Sequence, residues 1–191
     1  MTGSAKDVQA FFERVARDWD TMRLAYYDER VIEKMAEVAG IAEGSEIADV
    51  GTGTGFVAAG LASRVKRVIG IDNASAMLRV AHENLDYLGV SNAELLVGDL
   101  AGLPLADNSV DAAFANMVLH HAVDPVAMLK EMARIVRPGG MIVLTDEVQH
   151  SYEWMREEHA DVWLGFTPEQ VEDFFREAGL ADYGYDSLGM Q

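Results

Sequence analysis

The feature that most constrains this chain is Asp49-Val50-Gly51-Thr52-Gly53-Thr54-Gly55, in which three glycines alternate directly behind a short apolar run, Ile47-Ala48-Asp49-Val50. Glycine reaches positive φ without steric cost and lets a ligand approach the main chain closely. The run ahead reads as a buried strand. Phe56 to Arg64 behind it reads as a helix, whose first N–H groups have no partner within the helix. A strand–glycine turn–helix unit of this kind belongs at the edge of an α/β sheet. The competing reading is a tight turn with no ligand, and three glycines in seven residues count against it.

The remaining elements follow in order. Val8, Phe11, Phe12, Val15 and Trp19 recur at helical spacing, and a second helix is expected from about Asp28 to Val38, stopping at Gly40. After the glycine turn come a strand over Arg67–Ile71, a helix over Ser75–Leu88, a strand over Glu94–Val97 and a strand over Val110–Ala115. A helix over Pro125–Val136 is expected to stop at Arg137-Pro138-Gly139-Gly140, followed by a strand over Met141–Leu144. Thr167-Pro168-Glu169-Gln170 is a helix start with Thr as cap and Pro at the first helical position. That helix is expected to reach Ala178, and Tyr183–Leu188 to form a last strand. Alternation of strand and helix from Ile47 to Leu144 implies parallel pairing with helices on both faces. Ligands of such sheets sit beyond the C-terminal strand ends, where Gly51–Gly55, Asp72, Asp99 and Asn116 fall.

Composition narrows the function. The 191 residues carry a net charge of −17, which opposes non-specific binding to nucleic acid or anionic lipid. There is no cysteine, so disulfides, thiolate metal sites and Cys nucleophiles are excluded. Met1 to Asp7 is polar, and no run approaches the ~18 apolar residues of a membrane span, so the expected location is the cytoplasm, without membrane insertion.

Two acidic residues sit at strand ends. Asp72 lies 21 residues beyond Gly51, the spacing at which a carboxylate takes ribose hydroxyls; the competing role, an N-cap for the following helix, is the weaker one because Asn73 or Ser75 could cap instead. Gly98-Asp99-Leu100, followed by Leu103-Pro104-Leu105, offers a carboxylate for an exocyclic amine and a backbone N–H for a ring nitrogen.

Together these residues resemble the class I S-adenosylmethionine-dependent methyltransferases, of the small-molecule type grouped with ubiquinone and menaquinone biosynthesis enzymes. The resemblance runs from about Phe11 to Gly179. It rests on Asp49–Gly55, Asp72, Gly98-Asp99-Leu100, the stretch Asp111–Asn116 with Val118-Leu119-His120-His121, and Arg137–Gly140. It implies an α/β, Rossmann-like three-layer sandwich with a mostly parallel central sheet and an N-terminal helical cap. A single domain is expected: a cap over 1–44, a cofactor-binding core over 45–146, and a lid helix, last helix and final strand over 147–191.

The resemblance also implies S-adenosyl-L-methionine as cofactor and S-adenosyl-L-homocysteine as product. In it, Asp49, Gly51, Gly53 and Gly55 form the loop that holds the methionine part, and Asp72 takes the ribose. Asn73 and Met77 lie near adenine or ribose, Asp99 and Leu100 read the adenine, and Asn116 adjoins the amino group. A dinucleotide reading stays open, because Gly53-Thr54-Gly55-Phe56-Val57-Ala58 matches G-x-G-x-x-A. Asp49, the Asp99 motif and the helices ahead of the first strand oppose it. A non-catalytic adenosyl-binding protein of the same fold is the other alternative.

Methyl transfer is an in-line displacement that needs alignment and dryness, and no metal. If the acceptor must lose a proton, His121 and His120 are the candidate bases. No metal site is expected, because the histidines show no His-x-x-x-His helical spacing. The acceptor is expected to be a small molecule, enclosed by the N-terminal helices and the segment Glu147–Phe166, with Trp19, Tyr26 and Tyr152 lining its pocket; Phe11 and Trp163 are expected in the core. Relatives finish with two antiparallel strands, whereas 12 residues follow Gly179 here, so an exposed sheet edge covered by a second copy, a homodimer, is the further expectation.

Overall fold

Alternate residues of the strands face opposite ways, and each face builds its own core. The computed structural model describes residues 3–189. Five strands, β1 (Glu46–Val50), β2 (Arg67–Asp72), β3 (Ala93–Val97), β4 (Val110–Asn116) and β5 (Val136–Thr145), form one sheet in the order β3-β2-β1-β4-β5, and every pairing is parallel. The helices are α1 (Ala5–Val15), α2 (Trp19–Met22), α3 (Arg30–Ala39), α4 (Phe56–Ala62), α5 (Ser75–Tyr87), α6 (Pro125–Ile135), α7 (Met155–Glu158) and α8 (Pro168–Glu177).

Ile47, Val68 and Phe114 pack against Val31 and Met35 of α3 and Leu61 of α4. Ala48, Val50, Ile71 and Ala113 pack on the other face, against Met128, Met132 and Ile135 of α6 and Phe174 of α8. Burial of both faces explains why these strands read as continuous apolar runs. Phe12, Val15 and Trp19 of the cap pack on Ala76, Met77 and Val80 of α5. The expected cap forms, Thr167 with Gln170 at α8, and a second of the same kind, Ser4 with Asp7, starts α1.

Three expectations are corrected. The first helix does not run through to Trp19: α1 ends at Val15, and a turn closed by Asp18 N–H on the Val15 carbonyl separates it from α2. Arg137–Gly140 is no turn but the first half of β5, which leaves α6 directly. A Cβ on Gly140 would lie 2.4 Å from the Asp111 carbonyl, so glycine is what lets this strand pass β4, at the register shift between Val110 and Ala112. Pro138 is tolerated because β5 is an edge strand. The last strand over Tyr183–Leu188 does not form. This stretch runs as irregular chain, with Leu188 resting on the α3 side of the sheet and Asp186 paired with Lys34. No helix of the described residues is long and apolar enough to cross a membrane.

The strand order reverses around β1, so the loops after β1 and β4 open a crevice. Gly51 holds φ +70°, and a Cβ there would meet Val118 Cγ2 at 2.6 Å. Gly51→Ala therefore combines backbone strain with overlap, and is expected to cost about 2 kcal/mol or more. Val118→Ala in the same chain should recover part of that loss by removing the overlap but not the strain. Urea unfolding midpoints of the two variants check this, and an unchanged midpoint in the single variant would refute it.

Candidate active site

The glycine loop is held from three sides. Beneath it, the buried Asp49 Oδ2 accepts from Thr52 Oγ1 at 2.6 Å and from the Ala58 N–H at 3.0 Å. Beside it, Asp72 Oδ2 accepts from the Gly53 N–H at 2.9 Å, while Asp72 Oδ1 accepts from the Ala74 N–H at 2.9 Å ahead of α5. Above it, Asp20 of the cap accepts from Thr54 Oγ1 at 2.8 Å and from Asn84 Nδ2 at 2.9 Å. The Ile71 carbonyl takes the N–H groups of Gly51 and Thr52. Burial pushes Asp49 up to about 7, against the lowering effect of Thr52 and Ala58. Burial also raises Asp72, against its N–H donors.

A cleft opens over this loop. It brings together most of the residues singled out from the sequence: Trp19, Asp49, Gly51, Gly53, Asp72, Asn73, Met77, Leu100, Asn116 and His121 all line it. Gly55 does not; a Cβ there would press on Ala81 of α5, so its role is packing at φ +85°. Asp99 does not line the cleft either, and its Oδ1 accepts from the Ala101 N–H in a local turn. The structure adds Thr52, Thr54, Phe12, Tyr27, Phe56 and Val118.

Sequence reasoning also missed Arg23. Its guanidinium lies 4.0 Å over the Phe56 ring centroid and its Nε donates to Asp20, while Nη1 is buried with no hydrogen-bond partner among the described residues. A buried donor without a partner is costly, and Arg23 does not line the cleft itself but backs Phe56, which does.

A second cavity adjoins the first and shares Trp19, Tyr27, Met117 and His121 with it. Tyr26 and His120 line only this one. Tyr152 lines neither: it is 58% exposed, with its ring stacked on His150, which corrects its placement in the acceptor pocket. Phe11 is in the core as expected, and Trp163 packs against Phe166 and Phe174.

The second cavity is built by residues far apart in sequence. Asp146, just after β5, accepts from the Leu119 N–H at 2.8 Å and holds His120 Nδ1 at 2.8 Å from its Oδ1. His120 Nε2 lies 3.8 Å from Asp161 Oδ1. Burial alone would push His120 down, but Asp146 and Asp161 outweigh it and raise it to about 9. His121 moves the other way: burial and the neighbouring His120 hold it well below the usual histidine range, so its ring is neutral. Its Nδ1 is 3.4 Å from the Ala160 carbonyl. A carbonyl only accepts, so this contact places the hydrogen on Nδ1 and the lone pair on Nε2. Tyr26 Oη meets His159 Nε2 at 3.1 Å and ties the cap to the lid segment. Two residues here hold positive φ without being glycine, Met117 at 57° and Ala160 at 61°, the kind of strain that surrounding structure must enforce.

The raised Asp49 value has a sign that can be tested. The folded chain keeps the Asp49 proton after the unfolded chain has lost it. Its contribution to stability therefore falls as pH rises from about 4 to about 7 and is flat above. Asp49→Asn removes that component. The difference in urea midpoint between wild type and variant should decline over this window, and a difference independent of pH would refute the assignment.

The family model described as "Methyltransferase domain" (Methyltransf_11) matches residues 48–144. The chain is 28% identical to the malonyl-[acyl-carrier protein] O-methyltransferase of Marinomonas sp. (strain MWYL1), over 90% of this chain and 62% of that protein. It is 26% identical to the demethylmenaquinone methyltransferase of Bacillus pumilus (strain SAFR-032), over 93% of this chain and 90% of that protein. Among solved structures it is similar to a SAM-dependent methyltransferase from Aquifex aeolicus, with TM-score 0.72 and 26% identity, over 87% of each chain. The chain thus spans less than two thirds of the length of the Marinomonas relative.

Proposed function

This chain belongs to the methyltransferase domain family, and on that premise we propose that it transfers the methyl group of S-adenosylmethionine to a small-molecule acceptor by in-line displacement. The observation that carries the reading is the cleft over the glycine loop, with Asp72 at the end of β2 in its lining. Asp72 accepts from ribose hydroxyls. Arg23 stands behind the lining Phe56 and holds that ring and Asp20 in place from outside the cleft.

Bound there, the sulfonium supplies an electrophilic methyl carbon and departs as a neutral thioether. The protein's part is alignment and exclusion of water. Gly53 leaves room for the ligand against the main chain, Gly51 makes room for Val118 at the wall of the cleft, and Met77 and Leu100 offer apolar contact for the base. The backbone at Asn116 borders the same cleft. Asp99, which faces its own turn, would reach the adenine after a local adjustment of its loop.

The two histidines separate into different roles. His120, raised to about 9 and clamped by Asp146, carries a proton near neutral pH and serves as a fixed cation. His121 is neutral, lies at the junction of the two cavities and keeps a lone pair on Nε2, so it can accept a hydrogen bond from the acceptor, while burial and the charge on His120 make it a weak base.

Calorimetric titration tests this reading. S-adenosylmethionine and S-adenosylhomocysteine are expected to bind with micromolar affinity, and NAD is not. Asp72→Ala should abolish binding. Arg23→Met, by freeing Phe56 and Asp20, should weaken it about tenfold, equivalent to ~1.4 kcal/mol. Tyr152→Ala should leave it unchanged. Binding of NAD in place of the adenosyl ligands, or full affinity in Asp72→Ala, would overturn the reading.

A further inference from the structure

The second cavity has a charge balance that the methyl-transfer reading does not explain. Asp161 and Glu147 line it, and Asp146 lies directly behind His120. Among the described residues, no lysine or arginine lines either cavity. His120 is clamped by Asp146 and stands 3.8 Å from Asp161. Glu147 Oε2 meets His150 Nε2 at 2.8 Å. Asp161 is only 3% exposed, and its Oδ2 has no hydrogen-bond partner among the described residues. A buried carboxylate oxygen without a donor is expensive to maintain, and in native structures it marks a missing partner. That partner must donate hydrogen bonds, and the excess of carboxylates calls for a positive one.

The rest of the lining fits an organic cation. Trp19, Tyr26 and Tyr27 present aromatic rings, and aromatic faces attract ammonium groups most strongly where water is displaced. Met155 adds apolar surface. His121, with its lone pair on Nε2, sits where this cavity joins the cleft over the glycine loop.

We propose that the second cavity receives the protonated head group of an amine acceptor, with the Asp161 carboxylate as its counter-ion and Trp19, Tyr26 and Tyr27 as its aromatic walls. The assignment rests on the methyltransferase reading and names its substrate class. The ammonium gives one proton to Asp161 Oδ2, the buried oxygen that has no other partner among the described residues. The freed nitrogen lone pair then forms the N–C bond as the C–S bond breaks, and sulfur keeps that electron pair. The products are an N-methylammonium and S-adenosylhomocysteine.

The test compares 2-phenylethylamine, 2-phenylethanol and 3-phenylpropionate, which share a shape and differ in head-group charge. Each is titrated into the full chain in the presence and absence of S-adenosylhomocysteine. The amine is expected to bind at least tenfold more tightly than the alcohol, and the carboxylate least. Asp161→Asn should remove the preference while S-adenosylhomocysteine affinity stays unchanged. The wild-type order carries the test even if that variant fails to fold. Tight S-adenosylhomocysteine binding with no head-group preference overturns the amine assignment alone. No S-adenosylhomocysteine binding overturns the reading beneath it and the assignment with it. A third result would also overturn it. His120, His121 and Asp161 have ligand atoms within 4.8 Å of one another. If Co²⁺ binds them at micromolar concentration, with a visible ligand-field spectrum, and excludes the amine, the cluster is a metal site.

Discussion

The Asp49 carboxylate beneath the glycine loop is the constraint on which the rest depends. One oxygen accepts from Thr52 inside the loop and from Ala58 in the first turn of α4. That single acceptor fixes where β1 ends, how tightly the chain turns and where α4 begins. The left-handed backbone of Gly51 follows from it, and so does the approach of Val118 from the β4 loop. Asp72 then ties the same loop to β2 through the Gly53 N–H. The cleft is the gap left between these pinned turns, so its shape is set by the sheet edge before any ligand arrives.

The part of this arrangement written in local sequence was legible. Ile47–Val50 and Val68–Ile71 are buried on both faces and therefore read as apolar runs, and the alternating glycines after the first of them admit few backbone paths. Caps such as Ser4–Asp7 and Thr167–Gln170 span three residues and can be read directly. Arg137–Gly140 misled because Pro-Gly-Gly is turn chemistry in isolation. Only the Asp111 carbonyl, brought alongside by β4, shows why a glycine stands inside a strand there. Arg23 and Asp161 were illegible for the same reason. Their significance lies in a buried atom without a partner, and the groups that bury it are supplied by other segments.

The two histidines show how far environment separates neighbours of identical chemistry. His120 and His121 are adjacent in sequence, and their ring centroids are 3.9 Å apart. One is clamped by Asp146 and keeps a proton; the other is buried against Phe12, has a carbonyl at hydrogen-bond distance and the first one's charge beside it, and stays neutral. Each state supports the other, because two imidazolium rings at this distance would repel strongly. Asp146 therefore sets the state of His121 through His120, while its main-chain bonds to Leu119 and Glu147 position the loop that carries both rings.

The two cavities are built differently. Strand ends and short loops of the sheet make most of the first, whereas the second is assembled from Trp19, Tyr26 and Tyr27 of the cap and from Glu147, Met155, His159 and Asp161 after β5. The Tyr26–His159 hydrogen bond is what closes those two segments on one another. Substitutions in the cap or lid can therefore reshape the second cavity without touching Asp49, Asp72 or the glycines. The net charge of −17 acts in the same direction as the proposed site. An acidic surface raises the local concentration of cationic solutes and lowers that of anionic ones before either reaches the cavity. Selection for an amine would thus begin in the long-range field and be completed at Asp161, where a neutral or anionic head group would leave the carboxylate unpaired.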